Sequence, residues 1–65
     1  MTKAKVLKVL RSNADAAIYV DRGEVYLDDG KACRMISPSI LCALYRDGKG
    51  EIAPDPQNTS IWQAK

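Results

Sequence analysis

The chain has 65 residues, 46% of them hydrophobic, with no Phe, one Trp, three Tyr and a formal net charge of +2. A chain this short hides only about 60% of the surface its unfolded form exposes, so one small domain over residues 1–65 is expected and a deep substrate cavity is not. Its longest apolar runs, residues 16–20 and 40–45, fall far short of the ~18 residues of a membrane span. Lys8 and Arg11 interrupt the one N-terminal apolar stretch, so no secretory signal is expected and the expected location is cytoplasmic.

Residues 4–11 repeat every three or four positions, which predicts an amphipathic helix. Ala4, Leu7, Leu10 and Ala14 make its apolar stripe and Lys5, Lys8 and Arg11 its basic one. Thr2 is placed to cap its start and Ser12-Asn13 to end it. Residues 16–20 and 24–27 are rich in β-branched and aromatic side chains around Arg22-Gly23 and predict a hairpin with a two-residue turn. In that register Val20 faces Val25, Tyr19 faces Tyr26 and Ile18 faces Leu27, with aliphatics on one face and tyrosines on the other. A second turn at Asp28-Asp29-Gly30, read as a three-residue loop, sets Cys33 opposite Val25 on the core face and Arg34 opposite Glu24 on the outer one. The result is a three-stranded antiparallel meander over 16–35.

Ser37-Pro38 reads as a helix start, a hydroxyl cap followed by a residue with no N–H to satisfy. The helix is expected over 39–47, ending at Gly48, with Ile40, Leu41, Leu44 and Tyr45 inward. A short strand near 51–53, a loop over 54–58 forced by two prolines, and a last strand over 60–64 complete an α+β chain of order α-β-β-β-α-β-β. Cys33 and Cys42 read as reduced, mostly buried small hydrophobes. A bridge between them is the alternative if strand and helix pack together.

Residues 37–65, SPSILCALYRDGKGEIAPDPQNTSIWQAK, resemble the helix-plus-wing unit of small winged-helix proteins common in phage and prophage genomes. Leu44-Tyr45-Arg46-Asp47-Gly48 stands where that family carries Leu-x-x-x-Gly ahead of its β-hairpin wing. The resemblance implies a DNA-associated role. The family's two consecutive helices before the wing are replaced here by the meander.

Charge is unevenly spread: residues 1–11 carry Lys3, Lys5, Lys8 and Arg11 and no acid, whereas residues 12–30 carry Asp15, Asp21, Glu24, Asp28 and Asp29 against Arg22 alone. Such a layout steers charged partners. The chain has no histidine, which removes Ser-His-Asp and Cys-His nucleophile pairs, and two cysteines cannot fill a tetrahedral zinc site alone. No catalytic residue, metal or cofactor is therefore expected. Two binding surfaces remain. Lys3, Lys5, Lys8 and Arg11, joined by Arg46 and Lys49, form the candidate nucleic-acid site; four phosphate contacts at about −0.9 each give a salt slope near −3.6. Tyr19 and Tyr26 with Asp21, Glu24, Arg34, Asp28 and Asp29 form the candidate partner-binding site, since Tyr and Arg are enriched among interface hot spots. The first expectation is a DNA-associated regulator. The second is a protein that binds and inhibits nucleic-acid machinery of a host. A homodimer that completes a marginal core is the third.

Overall fold

The computed structural model describes residues 1–65. Helix α1 (Lys3–Ser12) starts where the Thr2 hydroxyl accepts from the Lys5 N–H at 3.3 Å. Val6 and Leu10 are its buried residues, with Leu7 and Val9 packed beside them. Ala4 and Ala14 are exposed, which corrects the expected stripe. A methyl group buries too little area to orient a helix against isobutyl and isopropyl competitors, and Ala14 lies past Asn13, whose extended backbone ends α1.

Strands β1 (Ala17–Asp21) and β2 (Glu24–Asp28) pair in the expected register, Tyr19 against Tyr26 and Val20 against Val25. Arg22 and Gly23 both have positive φ, 53° and 81°, the requirement of a type I′ turn, whose twist suits a two-residue hairpin.

The next hairpin departs from expectation. Strand β3 (Cys33–Ile36) sets Ile36 opposite Val25, Met35 opposite Tyr26, Arg34 opposite Leu27 and Cys33 opposite Asp28. An odd displacement of three positions turns each β3 side chain to the other face. The cause lies in the aspartates. One Asp29 carboxylate oxygen accepts from the N–H groups of Lys31 and Ala32, both at 2.8 Å, and Asp28 accepts from the Gly30 N–H at 2.9 Å. Asp29 N–H also donates to the Ala32 carbonyl at 3.1 Å. These bonds close a loop of residues 29–32, one longer than the turn read from Asp28-Asp29-Gly30. The Asn13 side-chain amide donates to the Asp29 carbonyl and ties the end of α1 to this loop.

Helix α2 (Pro38–Tyr45) opens as expected, Ser37 accepting from the Ser39 N–H, but it ends two residues before Asp47. Arg46, Asp47 and Gly48 all take positive φ, 50°, 55° and 86°, a left-handed turn across the short 3-10 segment Arg46–Gly48. Gly50 then passes so close to α2 that a Cβ there would stand 1.8 Å from the Leu44 carbonyl oxygen.

Strands β4 (Ile52–Pro54) and β5 (Ile61–Ala64) form the last hairpin. It does not stand apart: β5 pairs with β1, Ile18 against Trp62 and Tyr19 against Ile61, giving one antiparallel five-stranded sheet of order β3-β2-β1-β5-β4 in place of a three-stranded meander with a separate hairpin. Pro54, assigned from sequence to the loop, is the last residue of β4, and an edge strand tolerates it. Val6, Leu10, Leu44, Ile18, Val25, Leu27, Ile36 and Ile52 belong to one core cluster with Ala16, so both helices cover the same sheet face. The tyrosine-bearing face carries no helix.

Candidate functional site

Combining the three pairings places Met35, Tyr26, Tyr19 and Ile61 side by side across β3, β2, β1 and β5. Met35 is 65% exposed, and Tyr19, Tyr26 and Ile61 are half-buried. Period two puts Asp21, Glu24 and Asp28 on the same face. Asp21 and Glu24 stand directly opposite each other at the β-turn end of the row, and Asp28 lies at the far end against Ala17 and Cys33. Like charges facing across a ladder are unfavourable. The Tyr26 hydroxyl answers one of them by donating to a Glu24 carboxylate oxygen. That hydrogen bond raises the Tyr26 phenol above the ordinary tyrosine range, with desolvation and the Glu24 and Asp21 charges acting in the same direction.

Two of the residues expected at this site lie elsewhere. Arg34, opposite Leu27, is on the helix-bearing side of the sheet at its edge. Asp29 belongs to the loop, where hydrogen bonds from the Ala32 and Lys31 N–H groups hold its carboxyl below the ordinary carboxylate range. Met35 and Ile61 join the row instead. Period two along β5 sets Ile61 opposite in facing to Trp62; Met35 joins the row only through the observed β3 register. Cys33 and Cys42 are both free and both exposed, not buried. Cys33 is exposed because of the same register, and Cys42 because α2 turns Ile40, Leu41, Leu44 and Tyr45 inward.

On α1, Lys5, Lys8 and Arg11 are exposed and follow one another at three-residue spacing, while Lys3 is half-buried. Arg46 and Lys49 are exposed in and just after the left-handed turn that follows α2, a different segment from the α1 stripe. Because both helices lie on one side of the sheet, the basic stripe and the acidic tyrosine face occupy opposite sides of it. No group of three metal-ligating side chains occurs, no pocket indents the surface, and no helix is long and apolar enough to cross a membrane. Comparison with protein-family models, with curated proteins and with solved structures gives no match.

Proposed function

We propose that this chain is a non-catalytic, protein-binding module whose open sheet face takes a basic, partly apolar surface of its partner. The observation that carries the reading is the Asp21–Glu24 pair beside a row of Met35, Tyr26, Tyr19 and Ile61 on a face that no helix covers. Tyr26 answers only Glu24 from within the chain; a local rule broken with so partial a compensation points to a functional surface, and a cation from a partner relieves facing carboxylates. Aromatic side chains give contact area at small entropic cost. Surfaces rich in Arg and Lys are those that bind nucleic acid, so a partner of this type is a nucleic-acid-processing protein, and occupation of that surface inhibits it by competition. An amide chemical-shift titration with a peptide alternating Arg and Leu tests the reading. Shifts centred on Tyr19, Tyr26 and Met35, lost in the folded Asp21→Asn/Glu24→Gln variant, support it. Shifts confined to α1, or none at millimolar peptide, refute it.

A second reading, a DNA-associated regulator, is favoured by the exposure of Lys5, Lys8 and Arg11 on one helix stripe. Here α1 docks on phosphates, and the loop of the C-terminal hairpin acts as the wing. With Lys3 half-buried, three contacts remain, and the salt slope falls to about −2.7. A short duplex DNA titrated between about 50 and 200 mM salt measures that slope; a flat response removes the reading.

A further inference from the structure

The two edges of the sheet differ in a way that the ladder bonds reveal. Antiparallel pairs alternate between exchanging N–H···O bonds and exchanging none. Asp55 N–H donates to the Ile61 carbonyl at 2.8 Å and Lys65 N–H to the Glu51 carbonyl at 2.9 Å. Alternation therefore turns Glu51, Ala53 and Asp55 toward β5, and turns the backbone groups of Ile52 and Pro54 outward. Pro54 has no N–H, so this edge lacks a donor where an added strand needs one. At β3, the Asp29 bond to the Ala32 carbonyl fixes the same alternation. Arg34 and Ile36 bond to β2, opposite Leu27 and Val25, and Cys33 and Met35 direct N–H and C=O away from the sheet. This edge has no proline, and its outward row includes Met35, the most exposed large hydrophobic residue of the chain.

We infer that two copies of this chain join antiparallel through their β3 edges, on a two-fold axis at Met35, into one continuous sheet. A second copy fits the edge on four counts. Each chain has one open edge, so self-addition closes at two, as an isologous contact does. The two-fold at Met35 sets Met35 against its own copy, Cys33 against Ser37 and Arg34 against Ile36, so no like charges face each other. On the open face the two rows of Met35, Tyr26, Tyr19 and Ile61 merge end to end, and both Met35 side chains are covered. Finally, a chain with ten buried residues is near the lower limit of what one core sustains. The inference shares Met35 with the proposed binding row but is read from self-association alone, so its failure is distinguishable from failure of that reading.

Sedimentation equilibrium of the native chain from low micromolar to about 0.5 mM tests it. A monomer–dimer equilibrium is expected. Met35→Pro removes an outward-pointing N–H together with the side chain on the axis, takes no donor from the β2 ladder, and raises the dimer dissociation constant about tenfold or more. Met35→Lys, which keeps the backbone and sets two ammonium groups together on the axis, has the same effect with an unchanged far-ultraviolet circular dichroism spectrum. In a Cys33→Ser/Cys42→Ser background, Met35→Cys oxidises to a covalent dimer. A native chain monomeric throughout, a dimer indifferent to Met35→Lys, or a dimer in which Met35→Cys fails to cross-link overturns the inference.

Discussion

Gly50 shows how little latitude a single position has. Any side chain there meets the Leu44 carbonyl, and Gly50 N–H and Glu51 N–H donate to the Tyr45 and Leu44 carbonyls, both at 2.9 Å. A Cβ must therefore part the chain from the end of α2. Gly50→Ala is expected to destabilise by about 3 kcal/mol, the upper end of overpacking costs, read as a shift in the urea midpoint at constant slope. Arg22 is the opposite case. It holds positive φ in a turn that prefers Asn-Gly, so Arg22→Asn is expected to stabilise by about 0.5–1 kcal/mol. Tyr26 makes a spectroscopic prediction. Its hydrogen bond to Glu24 favours the neutral phenol, so the stabilisation is present below the ordinary tyrosine pKa and lost as pH rises through the higher folded value. Glu24→Gln should bring the Tyr26 transition, followed by ultraviolet absorbance, down toward the ordinary range.

Among the elements, the loop of residues 29–32 separates what was legible in the sequence from what was not. The β1–β2 register followed from side-chain sorting around Arg22-Gly23, because a one-residue slip mixes aliphatic and tyrosine faces. Strand β3 offered no such sorting. Cys33, Arg34 and Met35 are all exposed and only Ile36 is buried, so burial discriminates registers at a single position, and the loop length was decided by the carboxylate of Asp29 reaching two N–H groups. The errors in Cys33 and Arg34 came from that one loop, which also holds Asp29, so two of the seven residues expected at the partner site were misplaced. The left-handed turn at Arg46 and Asp47 was hidden for a related reason, since arginine gives no sign of positive φ and aspartate only a weak one. The Asp29 carboxyl, held low by its N–H donors, gives the loop a pH dependence. A depressed folded pKa supplies stability above the unfolded value and loses it as pH falls through the folded one. Protection of the Lys31 and Ala32 amides, measured against their intrinsic exchange rates, should fall below about pH 4, and Asp29→Asn should lower that protection at neutral pH.

For the whole molecule, β1 is the central strand, paired with β2 on one side and with the last strand of the chain on the other. Completing the sheet brings distant parts of the sequence together, and the core cluster draws on both helices, the strands between them and β4. A domain of this length is stable by about 3–10 kcal/mol, so Leu44→Ala, at a fully buried position, is expected to remove about 2–5 kcal/mol, read as a fall in the urea midpoint. The sole tryptophan gives a direct way to watch such changes. Trp62 packs edge-on to Tyr45 with ring centroids 4.7 Å apart, on the helix-bearing side of the sheet. Its indole N–H is buried, sheltered from water that shifts fluorescence to longer wavelength. Emission therefore reports melting of the interior and stays silent to ligands on the opposite side, so a single excitation experiment separates unfolding from occupancy without any added dye.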